Sequence, residues 1–157
     1  MFKLAFYKSE YGNWLDKLIA WWTRPNFWKL LDYKSYSHVE MYFSNGLCFS
    51  SSPRDGGTRW KKIGDIETSG KWDFLEFPHM DEEKLIGECS SRMGLSYDYW
   101  ALFFNFLIDI NWEDKKKWFC SEICAALPFH LLNPCRFSPN KLSKFLLIHK
   151  YLSTNKL

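Results

Sequence analysis

A change of hydrophobic period at Ser37 constrains the fold of this chain more than any other feature. His38, Glu40 and Tyr42 fall on one face of an extended segment, and Val39, Met41 and Phe43 on the other. That alternation is the signature of a strand with two distinct faces. Asn45-Gly46 follows directly, a dipeptide suited to the positive φ angles of a tight hairpin turn. Leu47 to Ser51 is the expected return strand, and Pro53 to Gly57 a second turn. Further strands are expected over Thr58 to Ile63 and Lys71 to Phe77, the latter ended by Pro78. With Phe2 to Tyr7, which has strand composition, these segments predict an antiparallel meander.

The remainder reads as helix. Asn13 is placed to cap a helix from Trp14 to about Trp22, stopped by Pro25. Asn26 to Tyr36 is an aromatic-rich helix or loop. Asp81-Glu82-Glu83 opens a helix that runs to about Met93, with acidic groups at the positive end of its dipole. Ser96 or Asp98 caps an apolar helix through about Ile108. Two more helices are expected, from Cys120 to Leu127 and from Asn140 to Lys150, the latter entered through Ser138-Pro139. Strands followed by helices predict an α+β domain, helices packed on an antiparallel sheet. With 157 residues, no internal repeat and no biased linker, the chain reads as a single domain over 1–157.

Composition narrows the function. Hydrophobic residues make up 46% and aromatics 20% of the chain, enough for a core and too much for disorder. The net charge of +3 and the single dense run Lys115-Lys116-Lys117 argue against nucleic acid as a partner. Five cysteines, at 48, 89, 120, 124 and 135, form no CxxC pair and no His/Cys cluster. Neither a zinc site, another metal or cofactor, nor a disulfide framework is expected. The N-terminus lacks the apolar stretch and cleavage site of a signal peptide, and no apolar run reaches the ~20 residues that span a bilayer. The expectation is a cytoplasmic protein with free thiols and no transmembrane segment.

Among those thiols Cys120 stands apart. Polar sequence gives way to apolar helix at Trp118-Phe119-Cys120-Ser121-Glu122, so the sulfur is placed at a helix N-terminus, where the dipole favours a thiolate. First-turn N–H groups are available to an oxyanion. Cys124, one turn later among Ile123, Ala125 and Ala126, and Cys89 read as small core residues. Cys48 and Cys135 have no nucleophile context. His38 is the candidate base. Glu40 lies on the same strand face, about 6.5 Å along the backbone, where a carboxylate can orient an imidazole. Ser50, Ser51 and Ser52 on the return strand and Asp55 in the next turn are reserves for that third role. Glu122 reads as a charge favourable to the helix start. His79 lies in a loop, and His130 and His149 read as partly buried helix residues. Asp98 reads as a helix cap beside Tyr97 and Tyr99.

Ser37-His38-Val39, the hairpin, Tyr97-Asp98-Tyr99 and Trp118-Phe119-Cys120-Ser121-Glu122 together resemble the circularly permuted branch of the NlpC-type papain-like cysteine hydrolase superfamily. The YiiX-like proteins belong there, with the lecithin:retinol acyltransferase-like enzymes as more distant relatives. In ordinary papain-like enzymes the cysteine helix precedes the histidine strand. Here His38 precedes Cys120 by 82 positions (120 − 38), the permuted order. The resemblance spans roughly Tyr36 to Leu127. It implies Cys120 as nucleophile, His38 as general base and a polar orienting group near the histidine strand. In the family that third group often comes from the following strand, here Ser50 to Ser52, and Glu40 stands where relatives frequently carry a small residue.

The expected activity is a cysteine hydrolase cleaving an amide, peptide or ester-type acyl bond. Two other readings remain open at this level: an acyltransferase that passes the thioester to a lipid or amine, and a non-catalytic binding module. A Cys120–His38 separation above about 6 Å favours the binding module.

Overall fold

The computed structural model describes residues 1–14, 16–17, 35–100 and 116–154. Among them lie seven strands: β1 (Phe2–Lys8), β2 (Tyr36–Tyr42), β3 (Cys48–Ser52), β4 (Gly57–Lys61), β5 (Trp72–Phe77), β6 (Ser96–Tyr97) and β7 (Lys117–Trp118). Three helices accompany them: α1 (Glu82–Ser91), α2 (Cys120–Phe129) and α3 (Pro139–Thr154). The class is α+β. The expected helix from Trp14 to Trp22, the segment Asn26 to Tyr36 before β2, and the helix to Ile108 fall largely outside the described residues.

The strands form one sheet in the order β5-β1-β2-β3-β4-β6-β7. This corrects the expected meander in two ways. β5 does not follow β4 but crosses to the opposite edge and pairs antiparallel with β1, Leu4 against Leu75. At the other edge β6 and β7 pair in parallel, so the sheet is mixed. Neither feature has a local signal: the neighbour of β5 is chosen by a long-range pairing, and two-residue strands are too short to show a period.

Paired residues share a face. Leu75, Leu4, Met41, Phe49 and Trp60 align across five strands and contribute to a core with Ile123, Cys124 and Leu127 of α2 and Leu142 and Leu146 of α3. α2 lies against β2 and β3, α3 against β2, and α1 against α2. The reverse face carries Ala5 and Cys48 with Ile66, and Tyr42, Trp72 and Phe74 around them.

The hairpin between β2 and β3 forms where Asn45-Gly46 predicts it. Gly46 adopts φ +79° and donates its N–H to Phe43 O. The α1 cap is Asp81, whose Oδ1 accepts the Lys84 N–H at 3.1 Å. α3 begins one residue earlier and ends four residues later than the expected Asn140–Lys150.

Candidate functional site

Three elements hold the site: β2, β4 and the start of α2. The start of α2 is fixed from two directions. Lys117–Trp118 pairs with Ser96–Tyr97, which in turn pairs with Gly57 of β4. Ser51 of β3 donates its hydroxyl to Trp118 O at 2.5 Å. Phe119 occupies the N-cap position and has no side chain able to cap. Glu122 supplies the reciprocal half instead, its Oε2 accepting the Phe119 N–H at 3.2 Å. Glu122 is therefore a buried structural group at the helix start, as its position suggests. The first turn of a helix presents backbone N–H groups that lack a backbone acceptor of their own helix, and Cys120, 4% exposed, is the first residue of that turn.

His38 and Glu40 project from one face of β2, and their side chains meet. His38 Nε2 and Glu40 Oε1 are 2.7 Å apart. Glu40 is fully buried, a position a carboxylate occupies only when its charge is matched. Arg59 of β4 supplies the match in bidentate form: Nη1 donates to Oε2 at 2.8 Å and Nη2 to Oε1 at 2.6 Å. Arg59 Nε donates to Asp55 Oδ2 at 2.8 Å, and Lys61 Nζ lies 2.9 Å from Asp55 Oδ1. Trp72 of β5 stands edge-on to the His38 ring, centroids 6.5 Å apart.

The electrostatics follow from this geometry. Burial disfavours the His38 imidazolium, but the Cys120 sulfur, by charge and hydrogen bonding, and Glu40 outweigh it and hold the ring up to about 10. Burial alone raises a carboxyl, yet His38 and Arg59 bring Glu40 below its ordinary 4.5. Burial pushes the Tyr97 phenol well above its usual range, and the Cys120 charge acts in the same direction, so Tyr97 lies within electrostatic reach of the sulfur.

Cys120, His38 and Glu40 are thus brought together. The reserves for the third role are committed elsewhere. Ser50 donates to Val39 O at 2.7 Å, Ser51 to Trp118 O, and Ser52 accepts the Arg54 N–H at 3.2 Å. Asp55 reaches the site only through Arg59. The other four thiols are buried. Burial pushes Cys48 and Cys89 up to about 12 and raises Cys124 well above its ordinary value. His130 and His149 are exposed rather than partly buried, His130 ending α2 at φ +48°. Among the described residues no group of three His, Cys, Asp or Glu is placed to hold a metal ion, and no helix is long and apolar enough to cross a membrane.

Sequence reasoning missed Arg59. An arginine on a short strand reads as a solvated charge. The available signal was Glu40 itself: a carboxylate between the core residues Val39 and Met41 requires a cation, and Arg59 lies on the next strand but one. No protein-family model, curated protein or solved structure matches the chain.

Proposed function

We propose that this protein is a cysteine-dependent hydrolase of amide, peptide or ester-type acyl bonds, built on a permuted papain-like fold. The observation that carries the reading is a thiol at a helix N-terminus against an imidazole that is itself hydrogen-bonded to a buried carboxylate. Nucleophile, base and orienting group in that sequence of contacts are the parts acyl transfer requires.

His38 holds its proton at neutral pH, and the reactive form of the site pairs that imidazolium with Cys120 as the thiolate. The thiolate attacks the substrate carbonyl carbon, forming a C–S bond and placing the carbonyl electrons on oxygen. Backbone N–H groups at the start of α2 receive that oxyanion. The intermediate collapses, the amine or alcohol leaves with the proton from His38, and the thioester remains on Cys120. Neutral His38 then takes a proton from water as its oxygen attacks the thioester. The acid leaves, and thiolate and imidazolium are restored. Glu40 stays ionised throughout and holds the ring in line.

The test is covalent labelling by an acyl-type thiol probe, read by intact mass and peptide mapping. Wild type labels at Cys120, Cys120→Ser and His38→Ala do not, and Cys124→Ser labels as wild type. Undiminished labelling of Cys120→Ser overturns the proposal.

A further inference from the structure

We infer that Arg59 is a positioning residue for this site, its guanidinium fork fixing the Glu40 carboxylate so that Oε1 stays on His38. The inference rests on the Cys120–His38 reading. It extends that site by one strand, to a residue that touches neither the thiol nor the imidazole.

Three observations carry it. First, both Glu40 oxygens are engaged by one planar group, at 2.8 and 2.6 Å, and the oxygen nearer Arg59 is the one His38 uses. A carboxylate held at two points cannot rotate about its terminal bond, whereas one held by His38 alone can. Second, Arg59 is itself held from behind. Asp55 Oδ2 takes its Nε–H, and Lys61 fixes the other oxygen of Asp55. Lys61, Asp55, Arg59, Glu40 and His38 thus form a line of alternating charge from the surface toward the Cys120 sulfur. Third, Ser50, paired with Arg59 across β3 and β4, is small enough to leave the Arg59 side chain a path from β4 to β2.

The groups around this line are few. Cys48 and Cys124 lie within electrostatic range of Glu40, and burial keeps both neutral. Trp72 borders His38 without adding a charge. Arg59 is therefore the cation that keeps Glu40 ionised from the side away from His38.

Arg59→Met and Arg59→Lys test this. Met removes fork and charge at similar length; Lys keeps a charge but offers no fork. Single-turnover acylation by an activated ester is followed across pH in folded protein, with folding checked by circular dichroism. The expected result for Arg59→Met is a rate about 10²-fold lower with KM within twofold, the magnitude that misplacement of a reacting group produces. Arg59→Lys recovers part of that loss. The acid limb of the Arg59→Met profile moves to higher pH, because Glu40 takes up a proton more readily. A merely structural role lowers the rate equally at all pH values.

The Glu40 carboxyl carbon, titrated by NMR without substrate, moves in the same direction and judges Arg59 even if the protein turns nothing over. Absence of wild-type labelling at Cys120 therefore defeats the catalytic reading, while the hold of Arg59 on Glu40 is judged separately by that titration. An unchanged rate profile and an unchanged Glu40 titration in Arg59→Met overturn it. Should that variant not fold, a wild-type rate in Arg59→Lys overturns it equally.

Discussion

Glu40→Gln isolates the charge at the centre of the network while preserving its shape. The carboxylate is fully buried and is joined to His38 at 2.7 Å and to Arg59 at 2.8 and 2.6 Å. The amide keeps one acceptor oxygen and turns an NH2 group toward donors. Removing one partner of a buried charge pair costs about 3–5 kcal/mol. Arg59 retains Asp55 at 2.8 Å, which places the loss near the lower end, about 3 kcal/mol. For a chain of 157 residues each kcal/mol lowers the unfolding midpoint by about 2–4 °C, so a fall of roughly 6–12 °C is expected. Near-ultraviolet circular dichroism, sensitive to the nine tryptophans, reads the transition. The double variant Glu40→Gln/Arg59→Met, in which no guanidinium is left facing a neutral amide, recovers part of the loss, because a well-packed apolar replacement of an ion pair is often neutral or better. The acylation rate of Glu40→Gln falls by about 10²–10⁴, the usual range for general acid–base catalysis. A midpoint within about 2 °C of wild type, or strictly additive losses in the double variant, refutes the reasoning.

Further outcomes follow from the same contacts. His38 has a folded value near 10 against an ordinary 6.5, so its contribution to stability is full below pH 6.5 and is lost as pH rises through about 10. Glu40 is depressed below 4.5, so its contribution is full above pH 4.5 and is lost as pH falls through its lower folded value. Urea unfolding across pH should show the advantage of wild type over Glu40→Gln greatest between about 4.5 and 6.5 and shrinking toward 10; a flat difference would contradict this. Gly57 adopts φ +148°, and a Cβ there would stand 1.9 Å from Leu95 O. Gly57→Ala should cost about 3 kcal/mol or more in denaturant unfolding, while Gly46→Ala, whose Cβ meets nothing within 4 Å, costs only the strain of its positive φ. Ser51→Ala removes the hydroxyl donor of Trp118 O, which keeps the Asp98 N–H, and should cost about 0.5–1.5 kcal/mol, with slower labelling of Cys120 because the start of α2 loses its tie to β3.

What the residues revealed on their own depended on range. β2 and its turn were readable because the alternation from His38 to Phe43 and the Asn45-Gly46 pair are both local. The start of α1 at Asp81 and the start of α2 were readable for the same reason. The crossing of β5 to β1 and the parallel β6–β7 pair were not, since each joins segments whose sequences carry no mark of the partner. In the site, Cys120, His38 and Glu40 could be picked by type and spacing. Glu40 could be separated from Ser50, Ser51, Ser52 and Asp55 only by seeing where each hydroxyl and carboxylate is bound. Arg59 stayed hidden because its importance is a property of Glu40's burial, which no single position displays.

The order of these groups along the chain bears on biosynthesis. His38, Glu40, Asp55 and Arg59 all precede Cys120, by 61 residues at the least (120 − 59). At about 5–20 residues per second, the charged half of the site is translated roughly 3–12 s before the sulfur. The thiols made before Cys120, Cys48 and Cys89, are held up to about 12 by burial once they pack. A growing chain thus carries the His38 imidazole and its carboxylate before the Cys120 sulfur exists. The Cys120–His38 contact exists only after α2 closes against β2 and β3, so under the proposed function the nucleophile joins a site whose other groups are already made.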